Sequence, residues 1–143
     1  MRLKQVSVFL ENRPGRLEDM LEALLKARVN IRAMSVADTA DFGIMRLILS
    51  DTGAGLEALK AEGFTATTTD VIRVRIPDHP GGLLEVVAQP LADAGINIEY
   101  VYAFVERPMD QAIVVIKTSD ADKASETLRA RHPEAVDFTD GES

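Results

Sequence analysis

Two short stretches of this chain bring together residues able to hold a small anion. The first is ENRPGRL, with Asn12, Arg13, Pro14 and Gly15; the second is PDHPGGLL, with Asp78, His79, Pro80 and Gly81. Each stands directly ahead of an apolar helical pattern. The first N–H groups of a helix have no partner within it, and they converge on a small volume that favours negative charge. Glycine removes the side chain that would block approach. A carboxylate can be held in such an elbow without a cationic side chain, although Arg13 and Arg16 add charge in the first copy where the second has His79 and Gly82. Each elbow is followed by an isolated asparagine beside an isoleucine, Asn30 with Ile31 and Asn97 with Ile98. A carboxamide is both donor and acceptor, so it can serve the ammonium and the carboxylate of one zwitterion. That combination points to an amino-acid site. The plainer reading stays open here: Asn12, Asp78 or His79 caps the first turn, and the glycines only let the backbone pass close to its neighbour.

Other chemistries have less support. The chain has 143 residues, no cysteine, two histidines far apart and a formal net charge of -7. Thiolate catalysis, disulfides and cysteine metal sites are therefore excluded, and no HExxH-like segment offers a ready ligand set. No cofactor is expected. Glu11, Glu18, Asp19 and Glu22 are favourable charges near a helix start rather than an acid-base pair. No nucleophile has an adjacent base, and an enzyme is not expected. Most of the negative charge falls after residue 70, which argues against a nucleic-acid surface. The aromatic run Tyr100, Tyr102 and Phe104 is read as packing or interface, since no basic rim accompanies it. No apolar run is long enough to cross a membrane as a helix, and the first residues lack the pattern of a secretory signal. A soluble, cytoplasmic protein with no membrane partner is expected, with a polar tail, DFTDGES, that frays.

The elements that must position the elbows can be read from periodicity. LKQVSVFLE alternates, with Val6, Val8 and Leu10 on one side; VIRVRIP does the same with Ile72, Val74 and Ile76, leaving Arg73 and Arg75 on the other. Only one face of each strand needs burial, which favours an antiparallel sheet with helices on one face. Leu17, Met20, Leu21, Leu24 and Leu25 form one helical stripe, and Leu83, Leu84, Val87, Ala88 and Leu91 form another. Pro90 inside the second predicts a kink or a shortened helix. Hairpins are expected at 30–50 and 97–118, with Met34 and Met45 as packing residues. Asp51 is expected to cap the next helix in the first copy, with Leu56 and Leu59 inward, and the spacing of Ser119 and Asp122 predicts a capping box in the second. FTATTTD and AVDFT are expected as closing strands.

The order strand, helix, strand, strand, helix, strand thus occurs twice. The elbows align with an offset of 66 residues, Pro14 with Pro80 and Gly15 with Gly81, whereas the asparagines need 67. One residue has therefore been inserted within or near the second copy's first helix. The pattern is α+β, with two ferredoxin-like βαββαβ domains at 1–70 and 71–143 and almost no linker.

Both copies resemble the ACT domain, a small regulatory module found alone and attached to enzymes of amino-acid metabolism. LENRPGRL with VNI and PDHPGGLL with INI carry the resemblance, which covers nearly the whole chain. It implies ligand contacts from Asn12, Arg13, Pro14 and Gly15 together with Asn97 and Ile98, and from Asp78, His79 and Gly81 together with Asn30 and Ile31. It is nearest to the serine-binding branch associated with phosphoglycerate dehydrogenases, which carries a histidine where this chain has Leu10 and Ile76, so serine is not implied as the ligand. The resemblance further implies a small amino acid or related carboxylate as effector, a homo-oligomer, in the simplest case a dimer, and an enzyme or regulator as partner. The alternative is a non-catalytic interaction protein that docks through its paired sheets and their edge strands.

Overall fold

The structure is a computed structural model, and it describes residues 2–38, 41–105 and 110–138. The chain divides into two compact units, Lys4–Thr69 and Asp70–Ser143, the latter taking in Met1–Leu3. The first unit is built from β1 (Arg2–Glu11), α1 (Arg16–Lys26), β2 (Ile31–Asp38), β3 (Phe42–Leu49), α2 (Thr52–Ala61) and the beginning of β4 (Thr65–Pro77). Its strands lie in the order β2-β3-β1-β4, with β1 and β2 both antiparallel to β3. The second unit takes the rest of β4, a π-helical segment at Leu84–Ala88, α3 (Gln89–Asp93), β5 (Ile98–Ala103), β6 (Gln111–Thr118), α4 (Ala121–Arg131) and the short α5 (Pro133–Val136). Here the order is β4-β6-β5, again antiparallel. This is the α+β, ferredoxin-like arrangement expected from the alternation.

The expected faces hold the cores. Val6, Val8 and Leu10 pack with Met20, Leu24, Met45, Leu47 and Leu59, while Ile72, Val74 and Ile76 pack with Val87, Leu91, Ile116 and Leu128. The helical stripes are wider than those cores: Leu17, Leu21, Leu25, Leu83 and Leu84 are exposed, Leu25 at 74%. On α1 only Met20, Ala23 and Leu24 point fully inward. Met34 is exposed as well, because it lies on the edge strand, whereas Met45 on the central strand is buried.

Three further expectations need correction. The cap of α4 is Asp120, whose side chain accepts from Lys123 N, and Ser119 instead accepts from Asn97 N through its hydroxyl. Arg73 is not on an open face: it is 6% exposed, its guanidinium lies 4.4 Å from the Phe138 ring centroid and it donates to the Phe138 carbonyl at 3.0 Å. The closing strand AVDFT is absent over its described part. Pro133 has no N–H to lose at a helix start and opens α5, which buries Ala135 and Val136 against the core; Phe138 then stacks beneath Arg73 and Arg75, and Thr139 lies outside the described residues. FTATTTD does become strand, but as part of one 13-residue β4.

Pro90 does not end the helix but follows a disturbance in it. The five residues before Gln89 widen into a π-helical turn, and the bond that Pro90 cannot donate falls where the α-helical ladder is already interrupted. A π turn is the way a helix absorbs one extra residue without rotating the residues beyond it. Before it, Asp19 N donates to Gly15 O and Glu85 N to Gly81 O, both at 2.9 Å and 66 apart; after it, Val29 N donates to Leu24 O and Ile96 N to Leu91 O, 67 apart. The inserted residue is located between those pairs.

Candidate functional site

Both elbows have the same backbone. Gly15 and Gly81 sit at φ +91° and +88°, a left-handed conformation costly for any other L-residue. Asn12 N donates to Asp41 O at 2.9 Å and Asp78 N to Asp110 O at 3.1 Å, which ties each elbow to the neighbouring hairpin. The residue before α1 is Gly15, which has no side chain to cap it. In the first turn Arg16 N donates to Arg13 O at 3.4 Å, and the next N–H groups, of Leu17 and Glu18, face the elbow.

The side chains differ. Arg13 is exposed and pairs with Glu11 at 2.8 Å. Arg16 is committed to structure: its guanidinium lies 4.5 Å from the Phe64 ring centroid and it pairs with Asp19 at 3.2 Å. In the second unit His79 turns its Nδ1 to Pro80 O at 2.8 Å. Gly82 stands at Arg16's place because an added Cβ would overlap the Pro77 carbonyl oxygen.

The asparagines occupy the far ends of the first helices. α1 has 11 residues, about 16 Å of helix, so Asn30 does not share a pocket with its own elbow. Asn30 N donates to Ser50 Oγ at 2.8 Å and its carbonyl accepts from Ser50 N; Asn97 repeats both bonds with Ser119 at 3.1 and 3.0 Å. Both side chains are exposed, while Ile31 and Ile98 pack against the two cores and open β2 and β5 at a register shift.

What the first elbow does adjoin is a cleft of about 220 Å³. Leu10, Glu11, Asn12 and Arg13 reach it from β1 and the elbow, Leu17 from α1, Val36 and Asp38 from β2, Gly43 and Met45 from β3. Asp38, Gly43 and Val36 were not singled out by sequence reasoning. The available signal was Gly43, an isolated glycine in a strand pattern, which marks a place where something approaches closely. Among the described residues no group of three or more His, Cys, Asp or Glu could hold a metal, and no helix is long and apolar enough to cross a membrane.

Comparison with known proteins agrees with this fold. A protein of Bacteroides thetaiotaomicron has a similar structure, with 39% identity, TM-score 0.86, and coverage of 95% of this chain and 91% of that one. The regulatory subunits of aspartate kinase from Thermus thermophilus and Thermus flavus share the fold at 22% identity, with TM-scores of 0.66 and 0.63; each comparison covers 91% of this chain and 90% of the other. No curated protein matches the chain. The family model for the ACT domain pair matches residues 1–140, and the chain belongs to that amino-acid-binding regulatory family.

Proposed function

We propose that this protein is a non-catalytic sensor that binds a small amino acid or related carboxylate and passes the signal to an enzyme or regulator. The observation that carries the reading is the first elbow: a helix start with glycine at its N-cap, whose neighbouring residues, Asn12 and Arg13, line a cleft of metabolite size. The N–H groups in the first turn of α1 and Arg13 serve the carboxylate, with Pro14 and Gly15 setting the turn. Asp78, His79 and Gly81 form the corresponding turn in the second unit, and the exposed carboxamides of Asn30 and Asn97 are the remaining candidate ligand contacts. Two domains at 1–70 and 71–143 are the units of the reading.

The output is association. α1 leaves Leu17, Leu21 and Leu25 exposed in one i, i+4 row, the kind of apolar surface that marks a protein contact. Leu17 also lines the cleft, so a ligand there touches the same row that a second copy would cover. This links occupancy to a homodimer, or to docking on a partner; the two similar aspartate kinase regulatory subunits support an enzyme of amino-acid metabolism as that partner.

Calorimetric titration with the common amino acids tests the proposal, together with light scattering in the presence and absence of any hit. Saturable binding with a change in association state is expected. A folded protein that binds none of them at millimolar concentration refutes the sensor reading and leaves the interaction protein docking through its sheets.

A further inference from the structure

The cleft beside the first elbow owes its volume to one missing side chain. Asp38, Gly43 and Leu10 form a row across β2, β3 and β1, and the next row holds Val36, Met45 and Val8. Neighbouring strands lie about 4.8 Å apart, so a glycine in the middle leaves a gap between Asp38 and Leu10. A Cβ on Gly43 would meet no atom nearer than 3.9 Å. The space is therefore open to a ligand group. Met45 is buried below it, while Leu17 and Val36 are 44% and 56% exposed at its walls. Concave apolar surface left in water is stabilised by an apolar occupant. The charges stand apart from that floor: Asp38 at one end of the row, and at the other Arg13, its ion-pair partner Glu11 and the helix start.

Among the described residues the second unit lacks this arrangement. At the offset of 67, Val105 stands where Asp38 does, and Ala112, paired with Ile76, stands where Gly43 pairs with Leu10. Its elbow carboxylate, Glu85, places Oε1 3.4 Å from the position of a Cβ on Gly81, whereas Glu11 of the first cleft is paired with Arg13. The first copy's counterpart, Asp19, is engaged by Arg16, and Gly82 has no such side chain to offer.

We infer that the cleft of the first unit, and not its counterpart in the second, binds an α-amino acid with an apolar side chain of about leucine or methionine size. Asp38 accepts from the ammonium, Arg13 and the N–H groups in the first turn of α1 donate to the carboxylate, and the side chain fills the gap over Gly43 against Leu17, Val36 and Met45. The inference rests on the amino-acid-sensing reading and narrows it. A cleft of about 220 Å³ is below the range of about 300–1,000 Å³ common for drug-sized ligands, as suits a small metabolite.

The test is calorimetry with L-alanine, L-valine, L-leucine, L-methionine, L-serine, L-aspartate, L-lysine and 4-methylpentanoate. One ligand per chain is expected, with affinity rising about fourfold per buried methylene. Serine, aspartate and lysine bind at least about tenfold more weakly than leucine, and 4-methylpentanoate loses about tenfold with its ammonium; Asp38→Asn loses a similar factor for leucine. Gly43→Ala keeps the fold, weakens leucine by about tenfold and alanine by far less, because its methyl takes the side-chain space. Serine or a charged amino acid binding more tightly than leucine, two ligands per chain, or a Gly43→Ala protein that binds leucine unchanged overturns the inference while the sensor reading stands. Binding of none of the amino acids overturns both.

Discussion

Deleting a buried residue from the first helix of the second unit should cost less stability than deleting an exposed residue from α1. Val86 is 8% exposed and lies in the π-helical segment, between hydrogen bonds offset by 66 and those offset by 67. Without it, and with Pro90→Ala made in the same protein because a proline inside an unbroken α-helix costs about 3 kcal/mol, Val87, residue 90 and Leu91 stand where Met20, Ala23 and Leu24 stand in α1, and the segment closes as ordinary α-helix. The loss is the burial of one valine, about 1.5–3 kcal/mol. α1 has no such slack. Removing Leu21, which is 39% exposed, turns everything beyond it by about 100° around the helix axis. Either Met20 or Leu24, both essentially buried, must leave the core at about 2–5 kcal/mol, and Ala23 goes with Leu24. Urea unfolding followed by far-UV circular dichroism measures both deletions. We expect about 2 kcal/mol for Val86 and about 4 kcal/mol or unfolding for Leu21. Equal losses, or an unfolded protein without Val86, would refute the assignment of the extra residue to the π turn.

Three other outcomes rest on single contacts. Gly82→Ala forces a methyl against the Pro77 carbonyl oxygen and should lower stability by about 1–3 kcal/mol, read as a shift of the urea midpoint. Asp51 and Asp120 each accept from a backbone N–H at 3.0 Å, from Ala54 and Lys123; Asp51→Ala and Asp120→Ala should each lose about 1 kcal/mol in the same assay. Asn30→Ala and Asn97→Ala leave the backbone bonds to Ser50 and Ser119 intact, so stability should change by less than about 0.5 kcal/mol. Calorimetry on the same two proteins should show weakened binding in at least one; unchanged binding in both removes the asparagines from the site.

The fold was legible because most of its information is local. Alternation of Val6, Val8 and Leu10 selected the buried face, Asp51 announced a helix, and the two proline-glycine elbows set the repeat. The failures concern tertiary cover. Arg73 reads as a surface residue in VIRVRIP, and its burial depends on Phe138, 65 residues away in sequence. Leu17, Leu21 and Leu25 satisfy the helical period as well as Met20 and Leu24 do, so period alone could not say which of them the core would take. The elbows were visible as residue types, but the cleft was not. It arises from the register that sets Gly43 between Asp38 and Leu10, and register is fixed by pairing across strands rather than by any one stretch of sequence.

The repeated asparagines and the repeated glycines have different standing as signals. Gly15 and Gly81 are required by backbone conformation, so their recurrence comes from copying the fold and says little about a ligand. Asn30 and Asn97 are different. The bonds that lock them to Ser50 and Ser119 use only the backbone N–H and C=O, which any residue except proline would supply. Folding therefore accounts for the serines and for the turn, but not for a carboxamide in both copies. The two elbows present the converse case, with one backbone and different side chains: Arg13 and Arg16 in the first, His79 and Gly82 in the second. A ligand held by the shared backbone alone would bind both. One that also needs Asp38, the gap over Gly43 and a cation near the elbow finds them together, among the described residues, in the first unit, and this is why the binding stoichiometry separates a site made by the fold from one made by its side chains.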